Sequence, residues 1–432
     1  MHERSHVRSA ALITLVMLTG VWARSAATYG QQPVFRSGVD LVLVEVQVVD
    51  DEGAPVVGLT PGQFSVRIDG RRRTVVSSDL VLYQGDGSAG ARSARGGPAA
   101  RNIWPVDPDA ASRTFVLAVD TASLSAGDGA AVVRSAIELV DQLSPNDAVG
   151  VVTLPRGATL RPTRDREAVR QAIHAMRGLG NLRANHRHLS VTEVVDIAGE
   201  LEREATVTMN GRGGRGQVMT VQQVLRQVQA RECPGAADQG CLQEIVMEVE
   251  AQARDMEDRV TESLDGLKRL LQLLADYAGR KTIVLLSAGM PASDRAGGWH
   301  RDGSQARALG QAAARANATV YSIHLDAGYR TLFNAEVRSA RASVAPGRER
   351  ELQQRLLADF AEASGGALLS AATDDGEWAL ARVLRETSAV YILGLAAEPR
   401  DLDGRPHPLR IDVSQPGATV RSGRFVVPRA AR

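Results

Sequence analysis

Asp120 closes an unbroken apolar run, Phe115-Val116-Leu117-Ala118-Val119, and Thr121-Ala122-Ser123-Leu124-Ser125 follows at once. A carboxylate backed by small hydroxyl residues at the end of such a run belongs to a buried parallel strand whose carboxyl end opens into a ligand-facing loop. The same carboxylate at a strand end also suits a capping role for the next helix or for loose backbone N–H groups. His186 and His188, with Glu193 shortly after, form the one histidine cluster of the chain. A metal-dependent hydrolase wants helical His-x-x-x-His spacing or a third ligand close by, so this pair reads as part of a solvated loop. There is no Gly-x-Ser-x-Gly elbow and no Gly-x-x-x-x-Gly-Lys phosphate loop; the glycine run at 211–216 lacks both a preceding strand and a following lysine. A hydrolase built on Asp120 or on the histidines therefore lacks a nucleophile and a base.

Placing these residues requires the frame around them. The chain has 432 residues, 44% of them apolar and 23% charged, which is ordinary globular composition with room for more than one domain. Its 51 basic and 50 acidic side chains nearly cancel, so no global field favours nucleic acid or an acidic membrane surface. The N-terminus runs from His2, Arg4 and Arg8 through an apolar stretch at 10–22 to the small residues 23–27, the order of a secretory signal peptide covering residues 1–30. That stretch is short for a membrane span, and no later one is long and apolar enough, so a secreted or periplasmic chain with no transmembrane span after signal removal is expected. In an oxidising compartment Cys233 and Cys241 are expected to pair across the turn-rich segment 234–240 as a local disulfide clamp.

Beyond the signal, residues 31–84 read as a small N-terminal β-module, since 41–49 alternates apolar and polar side chains with many valines, and 64–68 and 73–76 suit short strands. Residues 85–113 have the Gly, Ala, Ser, Arg and Pro composition of a linker. From 114 the pattern switches to buried-type strands at 114–120, 148–154, 281–287, 319–325 and 389–395, separated by helical periodicity at 128–143, 165–177, 304–316, 351–364 and 377–387. That alternation predicts an α/β fold, a Rossmann-like doubly wound and mostly parallel sheet, with a hairpin through Arg156-Gly157 adding an antiparallel edge. Residues 182–278 exceed what one crossover needs and form a helical insertion. Its second half, from Leu242 to Leu274, carries one amphipathic helix with Gly266 as a possible break. The tail 399–432 returns to short alternating strands, which are expected to complete a β-sandwich with the N-terminal module.

In this organisation the sequence resembles the VWFA-related acidobacterial domain family, exported bacterial proteins with a von Willebrand factor type A (VWA) domain. The resemblance rests on 33–44, on Leu59-Thr60-Pro61-Gly62-Gln63-Phe64 through Asp69-Gly70, on 114–120, on 279–287, on Ser364-Gly365-Gly366 and on Tyr391-Ile392-Leu393-Gly394. It implies a VWA domain over 114–398, inserted in the β-sandwich. It also implies protein binding through a divalent ion, Mg²⁺ or Mn²⁺, held by an Asp-x-Ser-x-Ser loop, a threonine and a second aspartate. A hard dication needs such oxygen ligands and leaves one position for a partner's carboxylate. Here Asp120 fits the first position, Ser123 and Ser125 stand one residue off the two hydroxyl positions, and Ala122 and Leu124 occupy those positions. Ser287-Ala288-Gly289 replaces the expected second aspartate, which makes the metal-ion-dependent adhesion site degenerate; Asp128 and Asp294 are the carboxylates that could substitute. The expected function is thus a non-enzymatic exported protein that binds a protein partner, with Asp120, Ser123 and Ser125 as the metal ligands if an ion is used. The alternative is a structural or assembly factor that works through its long helical insertion without metal.

Overall fold

The computed structural model describes residues 41–83, 113–124, 129–157, 159–176, 185–210, 218–233, 239–294, 299, 303–326, 346–372 and 377–428. The signal peptide, nearly all of the linker, Ser125 and Asp128 lie outside these described residues.

In chain order the elements are β1 (Leu41–Val49), β2 (Phe64–Ile68), β3 (Arg71–Arg73), β4 (Val75–Leu82), β5 (Thr114–Asp120), α1 (Gly129–Gln142), β6 (Ala148–Leu154), β7 (Thr159–Thr163), α2 (Arg166–His174), α3 (Val191–Asn210), α4 (Val218–Glu232) and α5 (Gln239–Leu274). There follow β8 (Lys281–Ser287), α6 (Ser304–Ala316), β9 (Ala318–Asp326), α7 (Pro346–Ser364), β10 (Leu368–Ala372), α8 (Glu377–Glu386), β11 (Ala389–Ala396), β12 (His407–Val413), β13 (Thr419–Arg421) and β14 (Phe425–Val426). Among the described residues no helix is long and apolar enough to cross a membrane.

The central sheet has the order β10-β9-β8-β5-β6-β7, parallel except for β7, which folds back antiparallel on β6 as the hairpin pattern predicts. Its inner strands β5, β8 and β9 are buried on both sides because both sides are covered. Phe115, Leu117 and Val119 of β5 pack with α1, α2 and α8, while Val116 and Ala118 pack with α5, α6 and α7. This is a Rossmann-like arrangement. From β5 the chain proceeds to β6 on one side and later returns through β8 on the other, so the switch in strand order falls between β5 and β8.

Two antiparallel sheets, β13-β1-β11-β4 and β14-β12-β2-β3, flank this layer and enclose their own core. Alternation along β1 turns Val42, Val44, Val46 and Val48 inward, where they meet Phe64, Val66 and Ile68 of β2 and Ile411 of β12. Phe64 and Tyr391 pack edge to face with ring centroids 5.4 Å apart, and the Tyr391 hydroxyl donates to Val56 O at 2.9 Å and accepts from Leu59 N at 3.0 Å. One strand departs from expectation. Residues 389–396 form no part of the parallel sheet; β11 lies antiparallel between β1 and β4. A fully buried apolar strand looks alike at the centre of either sheet, so its sequence does not announce its layer.

The insertion folds as α3, α4 and α5. Leu267, Leu270, Leu271 and Leu274 seat the second half of α5 on the sheet, whereas Ile245, Val249, Ala253 and Met256 of its first half join α3 and α4 in a separate core with Trp299 and Leu352. At 36 residues α5 is about 54 Å long. It runs unbroken through Gly266. A Cβ there would stand 2.9 Å from Leu154 Cδ2 and 3.4 Å from Pro155 Cα, so glycine serves close approach to the end of β6 rather than a break. Cys233 and Cys241 form the expected disulfide, with Cα atoms 6.5 Å apart, and join the end of α4 to the start of α5.

Candidate functional site

Strand parity decides where Asp120 points. Val116 and Ala118 face the α5 layer, so Asp120, two residues on, faces it too, at the carboxyl end of β5 beside the switch in strand order. Ser287 ends β8 with the same parity as Ile283 and Leu285. The two side chains therefore converge. Ser287 Oγ donates to Asp120 Oδ2 at 2.8 Å, and Ser263 Oγ, carried in by α5, donates to Asp120 Oδ1 at 2.6 Å. Ser123 Oγ donates to the backbone oxygen of Asp120 at 2.8 Å, accepts from Ala288 N at 2.9 Å and lies 3.2 Å from Ser287 Oγ. Asp120 is 1% exposed. Burial raises its pKa, while hydrogen bonds from Ser263, Ser287 and Ser123 and the positive charge of Arg259 oppose that rise.

A cavity of about 200 Å³ adjoins this hub, walled by Ser123, Met256, Arg259, Ser263, Gly289 and Gln353 among others. Gly289 adopts φ +136° with its missing Cβ aimed at Gln353 Cβ, 2.9 Å away, so only glycine lets the loop after β8 pass α7 this closely. The row continues along the sheet. His324 of β9 shares a register position with Ser287 and is fully buried; its Nδ1 is 3.0 Å from Gln354 Nε2, which also donates to Ser370 Oγ of β10 at 2.7 Å. Burial lowers the His324 pKa, against the raising influence of Asp326.

The structure brings Asp120 and Ser123 together, while Ser125 lies outside the described residues. The donor set does not suit a hard dication, which wants several carboxylate or free hydroxyl oxygens. Both Asp120 oxygens already accept serine protons, the Ser123 hydroxyl is turned to its own loop, and Ser287 brings no charge. Asp294, the substitute carboxylate, is engaged by Arg348 Nε at 3.0 Å, in a guanidinium that also meets both oxygens of Asp196 at 2.7 Å. Among the described residues no group of three or more His, Cys, Asp and Glu side chains is placed to hold a metal ion.

The histidine cluster resolves as loop and cap. His188 is exposed, with Nδ1 3.5 Å from Glu232, and Arg187 pairs with Glu244. Glu193 is the far half of a capping box at the start of α3, accepting from Ser190 N at 2.9 Å while its own N–H bonds Ser190 Oγ at 3.1 Å, and Arg231 clamps its carboxylate. Sequence reasoning missed Ser263 and Arg259. A serine within the apolar stripe Val260, Leu264, Leu267 was the available signal for the first; nothing local marked the second. No protein-family model and no curated protein matches this chain.

Proposed function

We propose that this chain is an exported, non-enzymatic VWA-type module that binds a protein partner at the carboxyl crest of its parallel sheet. The observation that carries this reading is the position of the Asp120 hub. It sits at the switch in strand order, where open α/β sheets present their ligand sites, and it adjoins a small cavity roofed by the inserted helix. The metal-ion-dependent adhesion site is degenerate in this reading, with hydroxyl donors where the ion's charge would stand.

A second reading, an assembly factor that works through the helical insertion, draws on the lobe of α3, α4 and α5, which has its own apolar core and a disulfide joining α4 to α5. One comparison separates the two. Residues 31–432 would be immobilised and envelope proteins captured with the wild type, with Ala288→Leu, which adds bulk to the lining of the cavity, and with Glu250→Arg/Arg254→Glu on the outer face of α5. Partners lost with Ala288→Leu at an unchanged melting temperature support the crest. Partners lost only with the charge reversals support the lobe, and hydrolysis of ester or peptide substrates that vanishes with His186→Ala or His188→Ala overturns the non-enzymatic reading.

A further inference from the structure

We infer that the cavity between the β-sandwich and the amino ends of β8 and β9 binds a small uncharged amphiphile, an aliphatic chain whose amide or hydroxyl head rests on Arg280 and Glu45. The site lies at the opposite end of the parallel sheet from Asp120 and does not depend on the crest-binding reading.

Strand parity builds one wall. Val42, Val44 and Val46 of β1 enter the sandwich core, so Leu43 and Glu45 project from the other face, and register places Ile392 of β11 beside Glu45 there. Arg280, just before β8, reaches the same face, donating through Nη2 to Gln47 Oε1 and to Thr319 Oγ1 of β9, each at 3.0 Å. The far walls come from α6 and β14. To the lining α6 contributes only glycine and alanine, at 310, 313 and 314, and where it meets β14 a Cβ on Gly310 would stand 3.1 Å from Phe425 Cδ2. These small residues leave about 930 Å³ open, within the range of sites for drug-sized molecules. Leu43, Ile392, Leu409, Phe425 and Val426 remain half-buried around it, apolar surface that an aliphatic chain would remove from water.

The charged groups select the head. Among the described residues that line the cavity, Glu45 and Arg280 are the only charged ones, and their charges cancel. Neither is fully satisfied. Arg280 Nη1 stands 3.8 Å from Glu45 Oε2, beyond hydrogen-bond reach, and it donates no hydrogen bond among the described residues. Glu45 Oε1 receives one long hydrogen bond, 3.4 Å from Asn317 Nδ2, and Glu45 Oε2 and Arg280 Nε are buried with none. A head that both accepts and donates, a carboxamide or an alcohol, takes the free Arg280 N–H and gives its own proton to Glu45. A carboxylate head would face Glu45, and an ammonium head would face Arg280. Either brings an unbalanced charge into a mostly apolar cavity, where its lost hydration is not repaid.

The test titrates residues 31–432 calorimetrically with octanamide, octanoate and octylammonium, which differ in the charge of the head on like chains, each below its micelle concentration. Octanamide should bind saturably at one site, and both charged ligands at least about tenfold more weakly, the equivalent of about 1.4 kcal/mol. Glu45→Gln, at a side chain 30% exposed, leaves Arg280 unbalanced and should reverse the order, so that octanoate binds more tightly than octanamide. Ala314→Phe, which carries a ring from α6 into the cavity, should weaken octanamide at least about tenfold. Should Ala314→Phe fail to fold, the head preference of Glu45→Gln still decides, because a purely structural role for Glu45 would weaken all three ligands alike. Equal affinity for the three heads, no saturable binding, or a preference unchanged in Glu45→Gln overturns the inference. Octanamide binding undiminished in a folded Ala314→Phe places the ligand elsewhere and overturns it as well.

Discussion

At the level of single residues, Asp120 shows how a carboxylate can be buried without a countercharge in contact. Its desolvation is offset by short hydrogen bonds from Ser263 and Ser287, and Ser123 braces the loop that follows. Removing the acceptor strands those donors. Asp120→Ala is expected to lower unfolding free energy by about 2 to 4 kcal/mol at neutral pH, because Ser263 and Ser287 lose their partner and a void opens under α5. Asp120→Asn keeps the shape, and the serine hydroxyls can rotate to accept from its amide, so its cost should be well below that of alanine. Urea denaturation of the three proteins measures this. Equal losses for both variants would show that charge, rather than hydrogen bonding, is what the site requires.

Among the elements, α5 does two jobs along one axis. Its second half is a crossover helix buried on the sheet, and its first half builds the lobe with α3 and α4. The lobe has fewer ties to the sheet than the crossover half, and the disulfide fastens the end of α4 to the start of α5 within it. With a sequence separation of 8 between Cys233 and Cys241, the bridge is worth about 2 to 3 kcal/mol by loop-closure entropy. Cys233→Ser/Cys241→Ser should therefore speed amide exchange in α4 and the start of α5 while leaving β5, β8 and β9 protected. Uniform acceleration across the sheet would mean that the lobe and the α/β core unfold as one unit.

For the whole molecule, the ends of the described chain are fastened together by polar groups at the rim of the sandwich. Arg73 of β3 donates to both oxygens of Asp401, at 2.7 and 2.6 Å, and the pair is almost fully buried. His407, at the start of β12, places Nδ1 2.8 Å from Asp69 and Nε2 2.9 Å from Asp403. Burial alone would lower the His407 pKa, but the hydrogen bonds its ring donates to the carboxylates of Asp403 and Asp69 raise it above its ordinary value. A group with a raised folded pKa stabilises fully below its unfolded value, about 6.5, and that contribution fades as pH climbs through the folded value. The melting temperature of the wild type should exceed that of His407→Asn most at about pH 6, with the gap narrowing toward about pH 9. A gap independent of pH would show that His407 contributes by packing alone.

Much of this architecture was legible in the residues. The helical periods at 128–143, 304–316 and 377–387 fall on α1, α6 and α8, and the alternation in 41–49 is β1. Such signals are local, since each element must hide one face, and the spacing of apolar side chains states which face. Asp120 was legible as a strand-end carboxylate for the same reason. The partners of Asp120 were not, because Ser263 is 143 residues and Ser287 is 167 residues away in sequence. Only the folded chain decides which helix crosses the end of β5 and which of its side chains arrives there. The layer of β11 was likewise a tertiary outcome, since an apolar strand buried on both faces satisfies either sheet and its neighbours alone choose between them.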